Sequence, residues 1–265
     1  MRRRFTAAVD GWGLRDLRWL GEGFVALVCE ATRDGTPVVL KVNPGGHRDA
    51  VQLAGEPAAL AFWEPTGVVP RVFGSRDSGL TTLLERLVPG TPLEGTDIDW
   101  EDRLVLLGGL AAALHVARPP ADLCLSMSDF TRDWRGALSG EPELLAELDE
   151  LIASAEDHVL LHADLHGGNV LLHGGGWKVI DPKGVRGDRH ADIWALIEPD
   201  APPLPGEAGA AARVAWDRVE RYAEAAGLDP GRAGAWARVR ALAESAQVSG
   251  TAWSEELRSI GAALG

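Results

Sequence analysis

Apolar positions change period near residue 90. Before it they come in short runs broken by turn residues, the pattern of β-strands. Residues 12–20 lead into 24–31, and 37–42 follow across Arg33-Asp34-Gly35-Thr36, where Asp-Gly is a strong hairpin signal. Two further strands, 68–74 and 79–87, flank a turn at Arg76-Asp77-Ser78-Gly79. One helix is expected in this half, over 48–63. Pro57 sits awkwardly in it, because proline is tolerated in a first helical turn and not later, so the helix should begin near Glu56 or kink there.

After Gly90 the period becomes helical. Residues 100–116 carry Leu104, Leu107, Ala111 and Leu114 on one face, with Asp99 as N-cap, Asp102 three residues on, and Pro119-Pro120 as the stop. A second amphipathic helix is expected over 143–155, and three more over 207–226, 231–248 and 251–264, with a break at Gly227-Leu228-Asp229-Pro230 and a proline-rich loop at 199–205. Trp216, Trp236 and Trp253 are expected to pack the core. Between these helices lie three short apolar runs, 159–161, 170–172 and 177–180. The first two enclose a polar loop, and Gly174-Gly175-Gly176 reads as a hairpin turn between the last two.

That polar loop carries the chemistry. It reads His162-Ala163-Asp164-Leu165-His166-Gly167-Gly168-Asn169, and Asp181 closes the third apolar run twelve residues on. A hydroxyl that accepts a phosphoryl group needs a carboxylate beside it, which Asp164 supplies. Magnesium needs hard oxygen ligands, and Asn169 with Asp181 supplies an amide oxygen and a carboxylate. H-x-D-x-x-x-x-N, then a strand, then Asp, is also the order of a kinase catalytic loop and its metal-binding residue. Two other readings stand beside this one: a polar hairpin of no catalytic meaning, and a metal site built from His162, Asp164 and His166 on one strand face. The metal reading requires further ligands elsewhere, and none of His47, His115, His158, His173 and His190 forms a second tight pair with another.

The phosphotransfer reading makes demands upstream. Gly21-Glu22-Gly23-Phe24-Val25-Ala26 is a glycine-rich hairpin whose backbone could approach phosphates; Ala26 stands where a third glycine would fit the kinase pattern, and a strand follows it, which excludes a dinucleotide fingerprint. Taken alone, such a hairpin is common. Lys41 ends an apolar strand, Val38-Val39-Leu40-Lys41, as a phosphate-binding lysine would. Glu56 is its expected partner, with Glu64 the competitor. Glu85 and Leu87, before Val88-Pro89-Gly90, are the backbone groups expected to meet an adenine edge. Downstream, Asp188 and Asp192 lie four apart, the spacing of one helix face. Asp188 is read as a helix cap and Asp192 as an anchor for the catalytic-loop backbone.

The chain has 265 residues, 46% hydrophobic and 25% charged, enough for one large domain or two lobes. No apolar run is long enough to span a membrane. Met1-Arg2-Arg3-Arg4 is basic, but 5–13 have no apolar core, so no secretory signal is expected. Cys29 and Cys124 lie in apolar contexts and read as buried thiols of a reducing cytoplasm. A net charge of −13 would repel nucleic acid and attract a cationic small molecule, though it also serves plain solubility. Lysine is scarce: three against 23 arginines, namely Lys41, Lys178 and Lys183. A chain that otherwise uses arginine places lysine where a compact ammonium suits phosphate oxygens.

With these residues in view, the chain resembles the aminoglycoside phosphotransferase group of protein-kinase-like small-molecule kinases, and within it the streptomycin and hydroxyurea phosphotransferase branch. LLHADLHGGNVL at 160–171, IDPKGVRGDRHAD at 180–192, LKVNP at 40–44 and Glu56-Pro57-Ala58-Ala59-Leu60 carry the resemblance, which runs from about Gly21 to Asp192 and fades over the last seventy or so residues. It implies an α+β, two-lobed protein-kinase-like fold. The N-terminal lobe, 1–86, would be a small antiparallel sheet with one helix and a short first strand; the lobe over 87–265 would be mainly helical. It implies ATP as cofactor with Mg²⁺, Asp164 as base, Asn169 and Asp181 as metal ligands, and Lys41 as phosphate clamp held by Glu56. Gly21, Gly23, Glu85 and Leu87 would complete the nucleotide site. The acceptor would be a hydroxyl of a cationic small molecule such as streptomycin, for which Glu198, Asp200 and Glu207 are candidate carboxylates, or else a metabolite. A nucleotide-binding module without catalysis is a further reading, and the full Lys41, Asp164, Asn169 and Asp181 set argues against it. A monomer acting in the cytoplasm, without nucleic acid or membrane partners, is expected.

Overall fold

The computed structural model describes residues 1–265 except 23–25, 46–49, 117, 121–122 and 157; at 21, 22 and 50–52 it describes the backbone alone. The chain opens with helix α1 (Arg2–Trp12), then runs through strands β1 (Arg15–Glu22), β2 (Leu27–Arg33) and β3 (Thr36–Val42) to helix α2 (Ala50–Trp63) and strands β4 (Val72–Arg76) and β5 (Thr81–Glu85). These strands form an antiparallel sheet in the order β1-β2-β3-β5-β4. Asp34 and Gly35, both at positive φ, turn β2 into β3.

From Pro89 the chain joins a different sheet. Strand β6 (Pro89–Pro92) is followed by α3 (Trp100–Leu114), β7 (Leu125–Ser126), three helices, α4 (Met127–Phe130), α5 (Arg132–Ala137) and α6 (Pro142–Ala153), and then β8 (His158–Leu161), β9 (Val170–His173), β10 (Gly176–Val179) and β11 (Val185–Asp188). These strands make two small sheets, β10-β9-β6 and β7-β11-β8. Helices α7 (Ala208–Ala226), α8 (Pro230–Gln247) and α9 (Ala252–Ala263) complete the chain. Their ends follow local chemistry. The Glu207 carboxylate caps α7 and Gly227 closes it; the Asp229 carboxylate and Pro230 start α8, and the Thr251 hydroxyl starts α9.

Two apolar cores result. Ala8 and Leu14 pack with Ala31, Val38, Leu40, Val42 and Leu83 between α1 and the first sheet. The larger core gathers α3, α7, α8 and α9 with Leu160, Leu161, Leu165 and Val170, and it also takes Ala59, Leu60 and Trp63 from α2. Trp63 Nε1 donates to the Leu114 carbonyl at 2.9 Å. Helix α2 therefore joins the sheet half to the helical half. Among the described residues, no helix is long and apolar enough to cross a membrane.

Several expectations are corrected. The first strand is not short: β1 has eight residues, and α1 precedes it, so the sheet half carries two α-helices rather than one. Pro57 neither starts nor ends α2 but sits inside it. A proline there leaves the carbonyl four residues back without its amide donor, and the Asn43 side chain donates to that Leu53 carbonyl at 3.3 Å instead. Asp188 and Asp192 do not share a helix face: Asp188 ends β11, and one 3-10 turn over Arg189–Ala191 separates them. Trp236 is fully buried, while Trp216 and Trp253 pack at the core margin. Cys29 is buried but Cys124 only half so.

Candidate active site

The loop between β8 and β9 is held from behind by Asp192. One carboxylate oxygen accepts the Ala163 N–H at 2.8 Å; the other accepts the His162 N–H at 3.0 Å and lies 3.1 Å from His115 Nε2. All three residues and His115 are buried. Burial alone would raise the Asp192 pKa, but His115 and the amides outweigh it and the pKa is lowered, so the anchor is an anion. His162 is a brace and not a ligand. Its Nδ1 accepts from the Asp164 N–H at 3.2 Å, so Nε2 carries the proton and donates to the Ile180 carbonyl at 2.8 Å. Burial lowers its pKa, in keeping with a neutral ring. Gly167 fits where the chain passes Glu94: a Cβ there would meet the Glu94 backbone nitrogen at 3.1 Å.

Two residues of this region hold left-handed backbone without being glycine, Ala163 at φ 64° and Asp181 at φ 60°. Each costs about 1–2 kcal/mol. The turn at Asp181 ends β10 and delivers that carboxylate to Lys41.

Lys41, Asp164, Asn169, Asp181 and Lys183 line one cavity of about 390 Å³, within the range of small-molecule sites. Lys41 Nζ lies 2.8 Å from Glu56 and 2.7 Å from Asp181. Lys41 and Glu56 are buried. Burial would lower the Lys41 pKa, but Glu56 and Asp181 outweigh it and raise it, so the ammonium is permanent. Burial raises the Glu56 pKa against the pull of Lys41, whereas in Asp181 the pull of Lys41 prevails and lowers it. Asn169 Nδ2 donates to the Asp164 carbonyl at 2.9 Å, which leaves the amide oxygen as the atom available to a hard cation. Lys183 Nζ lies 3.0 Å from Asp164 Oδ2.

The other wall is apolar: Ala26, Val28, Val39, Leu84, Leu171 and Ile180. Glu85, Arg86 and Leu87 line it too. In the β3–β5 register Lys41 faces Thr82 and Val38 faces Glu85, so the Glu85 backbone lies three residues along the strand from Lys41, about 10 Å away.

The sequence-predicted residues therefore largely converge. Gly21 lies in β1 opposite Val28, beside the cavity-lining Leu20; Gly23 lies outside the described residues. Glu64 pairs with Arg71 on the surface at 3.2 Å, which leaves Glu56 as the Lys41 partner. His162, Asp164 and His166 do not gather round a point: among the described residues no three His, Cys, Asp or Glu side chains could hold a metal ion together. Asp188 accepts from Trp236 Nε1 at 2.8 Å and from the His190 amide, lies 2.7 Å from His190 Nδ1 and pairs with Arg232; burial would raise its pKa, but the His190 and Trp236 hydrogen bonds outweigh it and bring it to about 2.

Two residues of the site are not foretold by sequence pattern. Lys183 stands out in the sequence for its rarity and for its place in the run at 180–192, but with no role at a stated atom, and the fold places it in the cavity. Glu198, one of the candidate acceptor carboxylates, is buried instead against the β8–β9 loop, where it accepts from Gly167 N–H at 3.4 Å and Trp100 Nε1 at 3.3 Å. Burial raises its pKa to about 7. Glu207 is likewise engaged, as the cap of α7.

Comparison with known proteins bears on this site. The sequence profile of the family described as aminoglycoside/hydroxyurea antibiotic resistance kinase matches residues 19–254. A hydroxyurea phosphotransferase of Kitasatospora aureofaciens is 33% identical over 249 residues, 88% of this chain and 68% of that protein. A streptomycin 6-kinase of Streptomyces griseus is 30% identical over 249 residues, covering 88% and 78% of the two. Among solved structures, the choline kinase LicA from Streptococcus pneumoniae superposes with a TM-score of 0.69 over 99% of this chain and 98% of its own, at 12% identity, a likeness of fold.

Proposed function

The chain belongs to the aminoglycoside/hydroxyurea antibiotic resistance kinase family, and from that premise we propose that this small-molecule kinase moves the γ-phosphoryl group of ATP onto a hydroxyl of a cationic antibiotic, with streptomycin the first candidate. One observation carries the reading. Lys41, Asp164, Asn169 and Asp181 come from three separate segments, β3, the β8–β9 loop and the turn after β10, and line a single cavity.

In this reading the Pγ–O bond to the β-phosphate breaks as a bond forms between Pγ and the acceptor oxygen. The hydroxyl proton passes to Asp164, and ADP leaves with the bridging oxygen. Asp164 orients the hydroxyl and takes its proton; Lys41, fixed by Glu56, holds nucleotide phosphate oxygens; the Glu85 and Leu87 backbone meets the adenine, with Gly21 and Gly23 over the phosphates. The donor set fits magnesium: Asp181 offers a carboxylate and Asn169 an amide oxygen, two hard ligands of the kind Mg²⁺ shares with nucleotide phosphates. When bound there it would neutralise phosphate charge. Most of the rate would then come from positioning and charge neutralisation.

The lobe boundary is placed at Arg86–Leu87, supported by the change of sheet partner between β5 and β6. The site draws its residues from one chain, which suits a monomer, and its use of ATP suits the cytoplasm. The identity to a hydroxyurea phosphotransferase supports a second acceptor, hydroxyurea, through the same hydroxyl chemistry. A metabolite with such a hydroxyl is the remaining alternative; the complete catalytic set speaks against a module that only binds nucleotide.

The test is ADP release with Mg²⁺ over streptomycin, other aminoglycosides, hydroxyurea, sugars and amino alcohols. Turnover with streptomycin is expected. Turnover with hydroxyurea alone would reassign the acceptor, and turnover with none, beside intact ATP binding, would overturn the antibiotic reading.

A further inference from the structure

Lys183 lines the same cavity as Lys41, Asp164 and Asp181. The chain reaches it through a tight Asp181-Pro182-Lys183-Gly184 turn in which Asp181 and Gly184 both have positive φ, 60° and 64°. At Gly184 that backbone suits glycine alone among common residues without strain. The Lys183 N–H donates to the His162 carbonyl at 2.9 Å, which ties the turn to the catalytic loop. The result is that one four-residue segment aims two opposite charges into one cavity: Asp181 toward Lys41 at 2.7 Å and Lys183 toward Asp164 at 3.0 Å.

The two lysines are not equivalent. Lys41 is held between two carboxylates, Glu56 and Asp181, and is almost wholly buried. Lys183 pairs with one carboxylate, Asp164, and its side chain keeps 28% exposure toward the cavity it lines. An ammonium has three donors, so this one retains capacity for another acceptor. Its contact is to Oδ2 of Asp164, which leaves Oδ1 for a hydroxyl. A hydroxyl within hydrogen-bond reach of Asp164 puts its attacked phosphorus within a few ångströms of Lys183. The transition state of phosphoryl transfer spreads charge over three equatorial oxygens, and a fixed cation beside them is worth most there. Two of the three lysines in a chain with 23 arginines line this cavity.

Resting on the kinase reading above, we propose that Lys183 is a catalytic residue that donates to a non-bridging oxygen of the phosphoryl group in transit, between Lys41 on the nucleotide side and Asp164 on the acceptor side. The competing role is purely positional, in which Lys183 only holds Asp164. The two are separated by a ligand that mimics the transferred group without using the base. Affinities for ADP and for ADP with aluminium fluoride, both with Mg²⁺ and without acceptor, are measured by calorimetry in the native protein, Lys183→Met, Asp164→Asn and the double variant.

Lys183→Met is expected to bind ADP within about threefold of the native protein. It should bind ADP–aluminium fluoride at least about tenfold more weakly, and by the same factor in the Asp164→Asn background. In steady state its kcat should fall on the order of 10²-fold with KM for ATP little changed, and Lys183→Arg should restore part of it through charge alone. Equal weakening of both complexes, or a loss that vanishes once Asp164 is replaced, would overturn the proposal. Failure of the native protein itself to bind ADP would instead sink the kinase reading on which it rests.

Discussion

At the scale of single residues, the candidate site pairs Lys41 with Glu56 and Asp181, and Lys183 with Asp164. Glu198, behind the β8–β9 loop, has a pKa pushed up to about 7 by burial. A carboxyl whose folded pKa exceeds its unfolded value keeps its proton in the native state while the unfolded chain ionises. Its contribution to stability is whole below about pH 4.5 and is lost as pH rises toward 7. Glu198→Gln keeps an acceptor for Gly167 and Trp100 without the charge. The difference in melting temperature, variant minus native, should be near zero at pH 4.5 and should grow to a plateau above pH 7, worth on the order of 2–3 kcal/mol. Parallel melting curves from pH 4.5 to 8 would contradict this. No local pattern foretells this group, because its partners lie 31 and 98 residues away in sequence. Asp164, Asn169 and Asp181 are legible because a loop and the strand after it fix their spacing. Lys183 is legible only as a rare residue in the run at 180–192, since its contact with Asp164 depends on left-handed backbone at Asp181 that a sequence does not display.

At the scale of elements, helix α2 is the part whose local rules conflict most with its structure. Proline inside a helix costs about 3 kcal/mol or more, and local rules accordingly start the helix near Glu56. The helix persists because Asn43, buried at the end of β3, donates its side-chain amide to the orphaned Leu53 carbonyl, and because Ala59, Leu60 and Trp63 are fully buried beyond the proline. Removing the substitute donor by Asn43→Ala should cost about 1–3 kcal/mol. Pro57→Ala should stabilise, and by more in the Asn43→Ala background, where the restored amide is the carbonyl's one helical donor. Urea unfolding of the four variants measures this coupling. Additive effects would mean that Asn43 does not act through the Leu53 carbonyl. The same tertiary override explains the segment after β11. Asp188 and Asp192 have helical spacing, but each is drawn to a different partner, Asp188 to Trp236 and Arg232 and Asp192 to the catalytic-loop amides.

At the scale of the molecule, the change from strand-like to helical periodicity near residue 90 coincides with the change of sheet partner, so the broad α+β organisation is legible in the pattern of apolar positions. The first helix is not. Its first turn is Arg2-Arg3-Arg4, and it is held by tertiary contacts: Phe5, Ala8, Val9 and Trp12 pack at the core of the first sheet, and Arg76 donates to the Ala7 and Gly11 carbonyls. Helix α2 packs Ala59, Leu60 and Trp63 into the larger core while presenting Glu56 to Lys41 of the first sheet, and Lys41 in turn meets Asp181 from the helical half. The central claim is that this joined cavity performs phosphoryl transfer with Asp164 as base. The direct measurement is ATP affinity and acceptor-dependent turnover, taken together, in the native protein and in Asp164→Ala. The account predicts an ATP dissociation constant within about threefold of native and a kcat lowered by at least about 10²-fold. Near-native turnover in Asp164→Ala would contradict it.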